Sequence, residues 1–297
     1  MELRASELAM VLDGIDVSKL KRVPRHKHCL LPDGTELQEH SIKTARNIVV
    51  GEFCQIDFGL RGADVYVGES SKIREYVWAS GDVRIGNWCE VGNDVIAKQD
   101  AYIGEGVKIA GKLVVSGALN IGEKVEIKEG FEAKGDLEIR NPMPVFMFII
   151  IYLMTLLRIE NEKELDRILD DLFSEEEERR EIPLMIPARS KLNLRFFSVP
   201  STMKIGKGCR LHGNIRAGSI DVQQNSVVFG SLRAKYRITV VDGVTIHGNV
   251  ESGSTVYVKK GAHILGDVIA KSIVLHEDAK IDGTIEAPHG MRIERDT

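Results

Sequence analysis

Histidine and cysteine are the residues through which this chain of 297 residues could do chemistry, and it carries eight of the first and four of the second. His26, His28, Cys29 and His40 invite a metal reading, but their spacing fits no standard zinc pattern, so no metal ligand is expected among them. Cys54 and Cys89 stand 35 residues apart, and no cysteine spacing forms a disulfide framework, so reduced thiols are expected. Gly106 to Leu113, GVKIAGKL, imitates a phosphate loop, yet leucine stands where the motif needs Ser or Thr and no helical pattern follows. Between His40 and His212 there is no histidine, which leaves a long stretch without the obvious general base. No catalytic residue and no cofactor site are expected on these grounds.

The elements that would have to position such residues are repeats. Val67, Ile73, Ala79, Ile85, Val91 and Ala97 open a run of apolar residues six apart that continues to Ile139. Most have an apolar or small partner two residues earlier, which puts both side chains on one face of a short strand. Gly68, Gly86, Gly104 and Gly122 mark a longer period of 18. Three six-residue strands per turn with glycine at one corner account for both periods, and a left-handed φ is the expected reason for that glycine. Gly213, Gly230, Gly248, Gly266 and Gly283 repeat the scheme at steps of 17 or 18. The expected fold is mainly β: two three-sided parallel β-helix (β-solenoid) segments of about five turns each, separated by a helical hairpin insertion.

Prolines set the boundaries, because proline cannot donate to a strand ladder. Residues 1–40 form an N-terminal segment, 41–141 the first solenoid, 142–200 the insertion and 201–297 the second solenoid. In the insertion, Val145 to Leu157 is apolar on all sides and too short as a helix for a hydrocarbon core about 30 Å thick. Phe146, Phe148, Ile150, Leu153 and Leu156 are candidates for burial against protein or a membrane surface. Glu160 to Arg180 reads as a second, amphipathic helix with an acidic side. Residues 1–40 hold one short helical candidate, Ser6 to Leu12, and a basic stretch, LKRVPRHKHC.

Outward positions point to contact surfaces rather than catalysis. Lys72, Glu90, Lys108 and Glu126 form an alternating charge ladder, while Trp78, Ile96 and Val114 form an apolar column where solvent is expected. The Trp78–Ile96–Val114 column is one candidate platform for the apolar helix. Met291 and Ile293 end the last turn, where inward side chains would lack a following layer, and so form a candidate assembly end. The formal charge of −4 and pI near 6.1 exclude a basic nucleic-acid face. Met1 to Leu12 lacks the basic start and apolar stretch of a signal peptide, so a cytoplasmic location is expected.

The phrases GNIRA, GSLRA and GNVESGSTVYVKKGAHILGDVIAKSIVLHEDAKIDGTIEA resemble the bactofilins, a polymer-forming cytoskeletal β-helix family. The resemblance runs from Gly213 to about Ile293, rests on the whole repeat, and contains no point motif. It implies a three-faced right-handed β-helix that polymerises end to end without nucleotide and associates with membranes in many members. Two solenoids and an internal insertion depart from that pattern. The function expected is a self-associating scaffold without catalysis. The alternative is a hexapeptide-repeat acyltransferase, which would need a histidine facing an intersubunit cleft.

Overall fold

The computed structural model describes residues 28–38, 40–139, 182–193 and 195–295, and within 140–181 the helical residues Val145, Phe148, Ile149, Tyr152, Leu153 and Met154. The chain is mainly β, a solenoid of about 12 turns. Its strands are two to four residues long except where two faces run together at Val250–Val258 and Val268–His276. In the run from Val65 to Val115, alternate residues point inward and are fully buried, as Val83 and Ile85 or Val95 and Ala97 do. A single apolar core follows the axis from Leu119 in the first winding, through the seam, to Ile273 in the second.

Three faces can be followed by strand pairing. Face I carries Ile48–Val50, Val65–Val67, Val83–Ile85 and Ala101–Ile103 in parallel register. Face II carries Gln55–Ile56, Lys72–Ile73 and Glu90–Val91. Face III carries Ser41–Lys43, Gly59–Gly62 and Val77–Ala79. In this first winding the chain therefore visits the faces in the order I, II, III.

The second winding uses the same three faces in the opposite order. Thr202–Ile205 lies on face I, Arg210–His212 on face III and Asn214–Ala217 on face II. A reversed order is what two windings of one hand show when they run in opposite directions along one axis. They meet at a seam with one antiparallel pair on each face. Leu30 pairs Met185 on face I, Lys191 and Leu192 pair Ser198 and Phe197 on face II, and Glu36 and Leu37 pair Lys43 and Ile42 on face III. Elsewhere the pairings are parallel, so both windings grow outward from the middle.

The seam exchanges strands. Cys29–Leu31 pairs in parallel with Thr202–Ile205 of the second winding, whereas Leu184–Ile186 pairs in parallel with Ile48–Val50 of the first. The windings are related residue by residue at an offset of 155. Pro32 and Pro187 each accept a hydrogen bond from the hydroxyl three residues on, Thr35 at 2.6 Å and Ser190 at 2.7 Å. Cys54 Sγ meets Pro187 O at 3.2 Å and Cys209 Sγ meets Pro32 O at 3.3 Å. Left-handed residues match as well: Gly34 with Arg189, Phe53 with Gly208, Ser70 with Asn225, and Trp88 with Gly243.

Three expectations need correction. The sheets do not divide at the insertion; they run through the seam, and strands at 29–37 and 184–192 join the stack. A helical hairpin is not what the described residues of 142–200 show: they give one helix within 145–154, followed by strands from Leu184. The stretch 160–180, read as a second helix, lies outside the described residues. The corner glycines other than Gly213, whose φ is +109°, also have a different cause. Gly68, Gly104 and Gly122 have no left-handed φ; a Cβ on Gly68 would come 2.7 Å from the carbonyl carbon of Gly51, and one on Gly122 would come 2.8 Å from Glu105 N. They let successive rungs touch, and the left-handed turn falls two residues later, at Phe53, Ser70, Trp88, Gly106 and Lys124.

The helix has a geometric task. The first winding ends at Leu137–Ile139, six rungs from the seam strand Leu184–Ile186, and a spacing of about 4.8 Å makes that roughly 29 Å to recover. The helical residues lie back along face I. Val49, Tyr66 and Met185 point out of the solenoid core yet are buried, as are Val145, Ile149, Leu153 and Met154.

Candidate assembly surfaces

Among the described residues, those able to do chemistry do not converge. Among the described residues no group of three His, Cys, Asp or Glu side chains could hold a metal ion. His26 lies outside the described residues. Cys29, Cys54, Cys89 and Cys209 are free thiols in the apolar core. Burial pushes Cys54 and Cys209 up to about 11 and Cys89 up to about 12, and raises Cys29 further. The phosphate-loop imitation is a left-handed corner at Gly106 followed by the two-residue strand Lys108–Ile109. His212 and His247 do share a column, stacked on either side of Phe229 with centroids 4.4 and 4.7 Å away. His263 sits in the neighbouring column and pairs with Asp282 at 2.7 Å.

Outward columns follow the register. Lys72 binds Glu90 at 2.9 Å and Lys108 binds Glu126 at 3.7 Å, all four largely exposed. Such pairs contribute little each and are screened by salt. Trp78, Ile96 and Val114 are aligned and half-buried, and the column continues to Arg61 below and Glu132 above. The Arg61 guanidinium lies over the Trp78 ring at 4.4 Å.

The described helical residues rest elsewhere than on Trp78. Phe148 and Tyr152 contact Tyr66 at 5.1 and 5.5 Å on face I, and Tyr152 accepts a hydrogen bond from Asn47 at 3.1 Å. Arg84 is held between the rings of Tyr102 at 3.6 Å and Phe148 at 3.8 Å. Phe148 and Leu153 are buried; Phe146, Ile150 and Leu156 lie outside the described residues. No helix among the described residues is long and apolar enough to cross a membrane.

The ends are the other surface. Met291 is 47% and Ile293 55% exposed on the last rung of the second winding, although they occupy the register of buried Ile273 and of Leu275. Ile285 is exposed beside them. The far end of the first winding presents Phe131 and Leu137, 49% and 47% exposed, in the register of buried Leu113 and Leu119. That second end was hidden by the expectation that a helical hairpin follows it directly, although its inward period runs to Ile139.

Three parallel faces around one apolar core define a three-sided β-helix. A family model described as "Bactofilin: Polymer-forming cytoskeletal" matches residues 197–286, nearly the whole second winding. The match makes the second winding similar to the bactofilins, and the 155-residue offset gives the first winding the same plan. No curated protein and no solved structure matches the chain.

Proposed function

We propose that this chain is a non-enzymatic cytoskeletal scaffold that associates with copies of itself through the ends of the rod. The observation that carries the reading is the pair of terminal rungs, where Phe131, Leu137, Met291 and Ile293 hold inward register, exposed, with no layer above them among the described residues. Each large apolar side chain fully buried by a second copy gains roughly 1.5–3 kcal/mol. The bactofilin match supports polymer formation. Free buried thiols fit a reducing, cytoplasmic compartment. Membrane contact through the helix is the less favoured part, since Val145, Phe148, Ile149, Leu153 and Met154 are already covered by protein. Sedimentation velocity over a hundredfold concentration range, with negative-stain microscopy of the same samples, tests the reading. Expected are species growing in mass along one dimension; a monomer throughout would overturn it.

A further inference from the structure

Two bulky rings stand where the fold asks for glycine. Phe53, Ser70 and Trp88 occupy successive rungs at the corner between faces I and II, each with a left-handed φ, at 56°, 55° and 59°. The second winding makes the equivalent turns with Gly208, Asn225 and Gly243. A bulky residue in that conformation is an outlier that glycine would relieve. Neither ring contributes to the core. Phe53 is 55% and Trp88 54% exposed, and the Trp88 ring lies over Gly106, where any Cβ would collide with it.

Charge marks the same strip. Glu52 and Glu69 directly precede Phe53 and Ser70, where the second winding has Lys207 and Gln224. Both are half-buried on adjacent rungs, and burial, then Glu52, raises the Glu69 carboxyl above its ordinary value. Like charges so placed oppose the fold. Glu69 accepts a hydrogen bond from Asn87 Nδ2 at 3.2 Å, and among the described residues no cation pairs with either carboxylate. At the limits of the strip stand Arg189, exposed one rung before Phe53, and Lys124, which binds Glu105 at 3.0 Å and lies 5.9 Å from the Trp88 ring. Outward rings elsewhere on the rod carry a guanidinium. Arg61 lies over Trp78 at 4.4 Å, Arg216 over Phe196 at 5.1 Å and Arg210 over Phe229 at 5.5 Å. Among the described residues none caps Phe53 or Trp88 in this way.

The strip is too narrow for a second rod. Two strand spacings, about 10 Å, separate Phe53 from Trp88, whereas a stable contact between two proteins buries about 800 Å² on each. A slender segment fits better. Polyproline II turns once in three residues at about 3.1 Å each, so every third side chain lies about 9 Å along the same edge, close to the spacing of the rings. Aromatic grooves take such segments without needing a free strand edge. We propose that the Phe53–Ser70–Trp88 corner docks a proline-rich segment of another protein with arginine at every third position, its guanidinium groups over the two rings and beside Glu52 and Glu69. The corner lies on the flank of the rod, so this binding and assembly through the ends are separate properties.

Fluorescence anisotropy of a labelled peptide of three Pro-Pro-Arg repeats, titrated with the full chain, tests this. The expected result is saturable binding that weakens at least tenfold when citrulline, which keeps the shape and removes the charge, replaces arginine. Phe53→Gly with Trp88→Gly installs the turn residues of the second winding, so the thermal midpoint should hold or rise while binding falls at least tenfold. Glu52→Gln with Glu69→Gln should weaken binding at least threefold. No saturation, equal binding of the citrulline peptide, or binding unmoved by the glycine pair would overturn the proposal. A smaller sedimenting species from the glycine pair in the absence of peptide would make a second copy the occupant and overturn it as well.

Discussion

Asp82 shows how the corners are held and what that costs. Asn47, Asp64, Asp82 and Asp100 form a column in which each side-chain oxygen accepts from the backbone N–H one turn on, at 2.9 to 3.0 Å for the first three. The second winding builds the same device from Asn214, Ser231 and Asn249. Burial, and secondarily the neighbouring Asp64 and Asp100, raises the Asp82 carboxyl above its ordinary value despite the hydrogen bond from Asp100 and the nearby Arg84. The folded protein therefore binds that proton more readily than the unfolded chain, and stability falls as pH rises through the interval between the two values. Asp82→Asn keeps the acceptor and removes the charge. It should raise the thermal midpoint at pH 7, by on the order of 1 °C for a chain this long, with the gain vanishing near pH 4. An equal gain at both pH values would rule out this origin. At this scale the sequence was partly legible: inward positions and corner glycines were found, but the reason for the glycines was not. Contact between rungs depends on atoms 17 or 18 residues away, which no local preference reports.

The helix within 145–154 is an element whose apolar character was plain and whose seat was not. Trp78, Ile96 and Val114 were the visible apolar column, whereas the platform is Tyr66, Arg84 and Tyr102, with a guanidinium at its centre. A charged outward residue reads as solvated until two rings are seen to sandwich it, and planar stacking of that kind suits arginine in particular. Phe148→Ala removes one of those rings and a nearly buried side chain, and should cost about 3 kcal/mol. Hydrogen exchange should rise within 145–154, while Trp78→Asp should leave that segment unchanged. Fast exchange in the parent protein, or protection lost with Trp78→Asp instead, would show a different seat. The need for a return path was also illegible, because a six-residue period reads the same whichever way a winding advances. The antiparallel pairs at 30/185, 36/43 and 191/198, with the reversed order of faces, reveal that both start from the middle.

For the whole molecule, opposed windings make both ends of the rod C-terminal ends of a solenoid. When two such ends meet with their edges aligned, their strands run antiparallel, as they already do at the seam, so the seam is an internal example of the junction proposed between copies. Three junctions are then open: first end to first, second to second, and first to second. Charge separates them. The last turn of the first winding, 122–139, carries Glu123, Glu126, Glu129, Glu132, Asp136 and Glu138 against three lysines. The last turn of the second, 278–295, carries Asp278, Asp282, Glu286 and Glu294 against Lys280, Arg292 and Arg295. Two first ends therefore repel most and two second ends least, and at about 0.01 M salt that repulsion reaches roughly 30 Å, against 8 Å at 0.15 M. A second-to-second junction closes on itself and yields discrete dimers, whereas growth requires a first end as well. Low salt should accordingly favour dimers, and raising salt should lengthen them into filaments. Phe131→Lys with Leu137→Lys should leave dimers at every salt concentration, and Met291→Lys with Ile293→Lys should leave monomers at low salt. Filaments from the first variant would mean that the exposed rung at Phe131 and Leu137 is not an assembly surface, and dimers surviving in the second would place the low-salt junction elsewhere than at Met291 and Ile293.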